Sequence, residues 1–145
     1  MTTTKKTPIG VLALLLGSMQ AAALADVAVI AGPSVPVDSL GMEQVRRLYL
    51  NQAGRFPGGV ALVPYDQPRS SDIHKAFTKR VLRKSERELA QYWSRRMFSG
   101  KGRPPQVLAD DAAVIEQVTR VPGSIGYVDS GSLNNDRVKV LLRLP

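Results

Sequence analysis

A short polar segment carries the residues with the clearest chemical potential. It reads Arg69-Ser70-Ser71-Asp72 and is the last part of the segment from Tyr65 to Asp72, which links a predicted strand ended by Pro64 to a predicted helix. Free backbone amides at a helix start, serine hydroxyls and a guanidinium group can together bind an oxyanion. The predicted ligand contacts are therefore Arg69, Ser70, Ser71 and Asp72. The alternative is that Ser70 or Ser71 caps the helix and that Arg69 faces solvent.

Candidates for catalysis are few. The chain has one histidine, His74, and no cysteine, which excludes cysteine-ligated zinc, iron–sulfur clusters, thiol nucleophiles and multi-histidine metal sites. Because adjacent residues on a helix point apart, His74 and Asp72 do not predict a catalytic pair, and we expect a solvent-exposed histidine. Asp110 and Asp111 are better explained as a helix start than as paired catalytic carboxylates. The sequence predicts no enzyme, no metal and no cofactor.

The charge balance is strongly basic, with 20 Lys and Arg against 12 Asp and Glu and a formal net charge of +8. Several cations fall mostly on the outer faces of two predicted helices, namely Lys79, Arg80, Arg83, Lys84, Arg87, Arg95 and Arg96. A solvated helix face is the simplest interpretation, and binding of anionic lipid or polysaccharide stays open. The export signal described below argues against a nucleic-acid partner.

The elements that position these residues follow an alternating order. Apolar stretches predict strands at 27–30, 60–63, 124–128 and 137–144. Polar residues that can cap a helix predict helix starts at Ser39, at Ser70 or Ser71, at Ser85, and at Asp110 or Asp111. This order favours an α/β fold in which helices pack on a mostly parallel sheet.

Residues 1–25 differ in character from the rest of the chain. Two lysines, an apolar run at 9–16 and small residues that end in Ala23-Leu24-Ala25 are typical of a secretory signal peptide. The apolar run is shorter than the ~20 residues that a membrane-spanning helix needs. We expect cleavage after Ala25, a binding-protein-like domain at 26–145 without a membrane span, and a periplasmic location.

Four ordered stretches between Ser39 and Val128 resemble one protein family. They are SLGMEQVRRLYLN running into GRFPGG, the segment Arg69-Ser70-Ser71, the stretch from Tyr92-Trp93 to FSGKG, and PGSIGYV at 122–128. They resemble the phosphate-binding component of ABC transporters, within the type 2 periplasmic binding protein fold. The chain is long enough for only one of the two lobes of that fold. The resemblance implies a single-lobe short form whose ligand is phosphate or a similar small oxyanion.

The anion loop departs from the pattern of that family. The position of the family's arginine falls on Asp66 or Gln67, and that of its binding serine falls on Ser70 or Ser71. A carboxylate at the arginine position would repel phosphate, so Arg69 would have to compensate. We therefore expect weak oxyanion binding at a helix N-terminus. The alternative is an envelope interaction or regulatory module, in which a second copy or another envelope protein covers the exposed face.

Overall fold

The computed structural model of the chain describes residues 25–134 and 137–145, and the predicted signal peptide lies outside them except for Ala25. Strands and helices alternate along these ranges. In chain order the elements are β1 (Val27–Ala31), α1 (Met42–Tyr49), β2 (Val63–Asp66), α2 (Asp72–Phe77), a π-helical turn (Thr78–Leu82), α3 (Glu86–Phe98), β3 (Gln106–Val107), α4 (Asp111–Arg120), β4 (Ser124–Asp129), a 3-10 turn (Ser130–Ser132) and β5 (Lys139–Leu144).

The strands form one sheet in the order β3-β2-β4-β1-β5. β2 runs parallel to β3 and β4, whereas β1 runs antiparallel to β4 and β5. The predicted α/β class with helices packed on a sheet is confirmed, but the sheet is mixed rather than mostly parallel. The reason is that β1 pairs with strands about a hundred residues later in the chain, and the order of elements does not dictate the direction of such distant pairs.

Helices cover both faces of the sheet. The side chains of β1 alternate, so that Val27 and Val29 join the core beneath α1, α2 and α3, while Ala28 and Ile30 join the core beneath α4. All five residues of β1 are buried, as expected for a strand covered on both faces. The sheet is therefore the middle layer of three.

Most of the predicted helix starts are confirmed. The side chains of Ser71, Ser85 and Asp110 accept hydrogen bonds from first-turn backbone N–H groups at 3.2, 3.1 and 2.8 Å. The prediction for Ser39 is wrong, because α1 begins after Gly41. There the Gln44 side chain accepts a hydrogen bond from the Gly41 N–H at 2.8 Å, which replaces a hydroxyl cap.

Strand β2 lies three residues beyond its predicted position. Val63 and Pro64 pair with Ser124 and Ile125 of β4, and the Val63 N–H donates to the Gly123 carbonyl at 2.8 Å. Pairing with β4 thus sets the position of β2, and the proline does not end it. The strand consequently ends at Asp66, just before the predicted oxyanion segment.

Candidate functional site

The four predicted contact residues lie together at the carboxyl end of β2. After Asp66 the chain makes a tight turn, in which the Ser71 N–H donates to the Pro68 carbonyl at 2.9 Å, and then enters α2. Arg69 and Ser70 are exposed. Ligands of open α/β sheets bind at this end of the strands, so the turn occupies a suitable position for a binding site.

The Ser71 hydroxyl is used by the fold. It donates to the Pro68 carbonyl at 2.7 Å and accepts from the His74 N–H at 3.2 Å. Ser71 is therefore the N-cap of α2, which is the alternative that the sequence left open for Ser70 or Ser71. Its hydroxyl has no remaining proton to offer a ligand.

The backbone of the turn retains donors. Among the residues that the structure describes, none accepts a hydrogen bond from the backbone N–H groups of Arg69, Ser70 or Asp72. Unpaired N–H groups at a helix start carry partial positive charge and favour anions. The Arg69 side chain is 72% exposed, and its Nε lies 3.6 Å from Oε2 of Glu86. The turn thus combines three amide donors with one guanidinium.

A hydrogen-bonded histidine lies directly beneath the turn. The expectation of a solvent-exposed His74 is wrong, because the side chain is 2% exposed. Its Nδ1 lies 3.0 Å from Oδ1 of Asp66, and its Nε2 lies 2.6 Å from Oε1 of Glu86. A neutral imidazole has only one N–H to donate, so a ring held between two carboxylates favours the doubly protonated imidazolium.

The Asp66 carboxylate points into the protein. Its Oδ1 accepts from the Gln67 N–H at 2.8 Å, from the Tyr127 hydroxyl, and from His74. Asp66 is one of the two residues that the resemblance places at the family's arginine position, and its carboxylate is thus compensated by internal donors. Its repulsion of an anion at the turn is correspondingly weaker than the sequence implied.

Burial and charge act in opposite directions on the pKa of His74. Burial lowers it, but the hydrogen bonds and negative charges of Asp66 and Glu86 outweigh burial and raise the pKa above its ordinary value of 6.5. Burial and the Asp66 charge raise the pKa of Tyr127 far above its ordinary value, and they act in the same direction on Tyr49. Both phenols therefore remain protonated hydrogen-bond donors.

Glu86 connects the turn, α2 and α3. It is the first residue of α3, its Oε1 contacts the buried histidine ring, and its Oε2 faces Arg69. Oε2 is shielded from solvent and accepts no hydrogen bond within the described residues. The Glu86 carboxylate is thus shared between one buried and one exposed cation.

A second buried polar group fixes the other side of the turn. The Gln67 side chain is 2% exposed and donates from Nε2 to Asp111 Oδ1 at 2.6 Å and to the Tyr127 carbonyl at 2.9 Å. Asp111 Oδ2 accepts from the Ser132 hydroxyl at 2.6 Å. Asp110 caps α4 as predicted, whereas Asp111 joins β2 to the region after β4, a role that the sequence reasoning missed.

One sequence signal could have revealed the buried histidine. His74, Phe77, Thr78 and Val81 follow the i, i+3, i+4, i+7 spacing of a single helix face, and all four are buried. The partners of His74 come from β2, β4 and α3, which no local pattern connects. Among the described residues, no group of three or more His, Cys, Asp and Glu side chains is arranged to hold a metal ion.

Several solved structures are similar to this chain in fold, and most of their descriptions name phosphate-binding or phosphate-transport proteins. An ABC-type phosphate transport receptor from Vibrio cholerae superimposes with a TM-score of 0.64 at 18% identity over 81% of this chain. A structure described as a phosphate ABC transporter substrate-binding protein, with bound phosphate, from Clostridium perfringens gives 0.63 at 17% identity over 81% of this chain. The fold is that of phosphate ABC transporter substrate-binding proteins. PstS from Borrelia burgdorferi is similar over 74% of this chain, with a TM-score of 0.55 and 17% identity.

The likeness concerns part of each neighbour. This chain covers 46%, 45% and 42% of the Vibrio, Clostridium and Borrelia chains, that is, about half of their length or slightly less. The predicted single-lobe form of the fold is therefore confirmed. No protein-family model matches the sequence, and no curated protein matches it either.

Proposed function

We propose that this protein binds a small oxyanion such as phosphate, weakly and without enzymatic activity, at the turn from Arg69 to Asp72. The observation that carries the proposal is the set of unpaired backbone N–H groups of Arg69, Ser70 and Asp72, beside an exposed guanidinium. The fold supports it, because a structural neighbour from Clostridium perfringens was solved with bound phosphate. The neighbours are described as binding and transport proteins, which supports a non-enzymatic role.

The number of donors limits the affinity. Each neutral or charge-assisted hydrogen bond in a solvent-exposed site contributes about 1 kcal/mol, so three amides and one guanidinium supply about 4 kcal/mol. The entropy lost on capture of the ligand opposes this gain, so the Kd should be about 1 mM or weaker. The carboxylates of Asp72 and Glu86 lie next to the same turn and oppose tighter binding.

Calorimetric titration with phosphate and sulfate tests the site. Arg69→Ala should weaken binding about 5-fold, the loss of one charge-assisted contact, and Asp72→Asn should strengthen it by a smaller factor. Arg143→Ala is a matched control, because it removes one exposed cation from β5, at the far edge of the sheet. A Kd in the micromolar range, or equal losses in Arg69→Ala and Arg143→Ala, would contradict the proposed weak local site.

The proposed location is the periplasm. This proposal depends on the signal-peptide pattern in residues 1–25, which lies almost entirely outside the described residues. Within the described ranges, no helix combines the length and the apolar character that crossing a membrane requires. N-terminal sequencing of the protein recovered from a bacterial periplasmic fraction should give Asp26. An intact Met1 in that fraction would contradict the cleavage.

A protein-binding module is the second candidate function. The side chain of Phe98 at the end of α3 is 98% exposed, and the neighbouring Met97 is 49% exposed. Exposed aromatic side chains are enriched in protein interfaces, so a second copy or an envelope protein could cover this end of α3. Sedimentation velocity over a range of concentrations tests self-association. A dimer that Phe98→Ser converts to a monomer would favour this function, whereas a monomer at all concentrations would remove the homodimer.

A further inference from the structure

A basic groove lies between the π-helical turn and the start of α3, and Glu86 forms part of its lining. Its volume is about 560 Å³. We refer to it as the basic groove, and the cations that line it are Lys75, Lys79, Arg83 and Lys84. Three of these four side chains belong to exposed residues, and Lys84 is half-buried.

The negative charge in the groove does not balance these cations. Two carboxylates line it, Glu86 and Glu88. The Glu86 carboxylate is already compensated by His74 at 2.6 Å and by Arg69 at 3.6 Å. Within the described ranges none of the four cations forms an ion pair, and Lys84 instead lies 5.2 Å from the ring centroid of Tyr92. The groove therefore carries an excess of uncompensated positive charge.

The backbone at the groove is held in an uncommon conformation. Arg83 has a φ of 52°, in the left-handed region that favours glycine. It follows directly on the π-helical turn Thr78–Leu82, and short π-helical insertions are found frequently at functional sites. A strained residue that carries a charge into a basic groove is poorly explained by stability alone, since glycine would fit the same backbone at lower cost.

We propose that the basic groove binds a small soluble ligand with two or more linked phosphate groups. The four cations come from α2, from the π-helical turn and from the two residues after it, and linked phosphates offer more charged oxygens to such a set than a single phosphate does. The first turn of α3, which follows the N-cap Ser85 in the groove wall, adds the positive end of a 13-residue helix. This site is separate from the Arg69–Asp72 turn and does not depend on the function proposed for that turn.

Calorimetric titration of the full chain with tripolyphosphate and with inorganic phosphate tests the groove. We expect tripolyphosphate to bind at least about 10-fold more tightly than phosphate, because it gains more than one charge-assisted contact. The double variant Lys79→Gln/Arg83→Gln should lose about 10-fold or more in tripolyphosphate affinity. The control Lys101→Gln/Arg143→Gln removes the same charge from exposed residues outside the groove and should lose less than about 3-fold.

A single substitution at Arg83 distinguishes its effect on ligand affinity from its effect on thermal stability. Arg83→Gly relieves the left-handed backbone, so its Tm should rise while its affinity for tripolyphosphate falls. Three results would overturn the proposal: equal losses in the groove and control double variants, unchanged affinity in Arg83→Gly, or binding to phosphatidylglycerol vesicles without binding to free tripolyphosphate. The last result would assign the cations to a lipid surface.

Discussion

Replacing His74 by leucine removes the cation that two carboxylates share. The ring nitrogens lie 3.0 Å from the Asp66 carboxylate and 2.6 Å from that of Glu86. Hydrogen bonds to charged groups contribute about 1.5–3 kcal/mol each when they are buried. Leucine has a similar apolar bulk and offers no donor, so both contacts are lost together.

The exposed fraction of each carboxylate side chain decides how much stabilisation its contact with His74 supplies. The Asp66 side chain is 20% exposed, and we assign its contact about 2 kcal/mol. The Glu86 side chain is 40% exposed, so water replaces much of the lost contact and about 1 kcal/mol remains. His74→Leu should therefore lower the free energy of unfolding by about 3 kcal/mol, equivalent to a Tm decrease of about 10 °C for a domain of this size.

The same contacts make stability depend on pH. Because the pKa of His74 is raised above 6.5 in the folded protein, protonation favours the folded state. The stabilisation is complete below pH 6.5 and is lost as the pH rises through the raised pKa. The wild-type Tm should therefore fall on going from pH 6 towards alkaline pH, whereas the Tm of His74→Leu should lack this component.

Thermal unfolding followed by circular dichroism between pH 5.5 and 9 measures both effects. His74→Gln serves as a conservative variant, because its amide restores one donor but no charge, and it should lose about half as much stability as His74→Leu. If the Tm of the wild type and the Tm of His74→Leu changed in parallel with pH, this result would refute the buried imidazolium. A loss below about 0.5 kcal/mol would show that the two contacts contribute little.

Three other substitutions test single contacts. Tyr127→Phe keeps the ring stacked on Phe77, with the ring centroids 3.9 Å apart, but removes the buried hydroxyl. Urea unfolding should show a decrease of about 1–2 kcal/mol in the free energy of unfolding. No decrease would contradict the hydrogen-bond network. Gly126→Ala places a methyl group 2.4 Å from Val114 Cγ1 and should lower the free energy of unfolding by about 1–3 kcal/mol in the same assay. An unchanged free energy of unfolding would contradict this close packing of α4 on β4. Ser71→Ala removes the N-cap of α2 and should lower the Tm by the equivalent of about 1 kcal/mol, whereas an unchanged Tm would argue against the cap.

Local sequence signals predicted the parts of the fold that depend on neighbours in the chain. Ser71, Ser85 and Asp110 act as caps because a cap requires only a side-chain acceptor and the amides of the next turn. The resemblance carried by four ordered stretches, of which PGSIGYV is the most specific, also led to the right fold. These features are encoded within a few residues, so a single sequence suffices to identify them.

The interior of the candidate site could not be predicted in the same way. Asp66, His74 and Tyr127 meet only because β2 and β4 pair in parallel and α2 packs over their ends. The sequence shows the Asp66 carboxylate near the predicted anion site. It does not show that the His74 ring lies beside this carboxylate and compensates its charge. Strand direction was equally inaccessible, since the antiparallel partners of β1 lie near the other end of the chain.

The position of β1 between β4 and β5 has a consequence for the folding kinetics. Val27 lies opposite Asp129 of β4 on one side and Leu144 of β5 on the other, so β1 completes its hydrogen bonds only after β5 has joined the sheet. Pairing over such separations requires closure of very long loops, which slows folding. A growing chain that still lacks β5 therefore exposes an unpaired edge of β1, and it should remain available to chaperones until β5 has been synthesised.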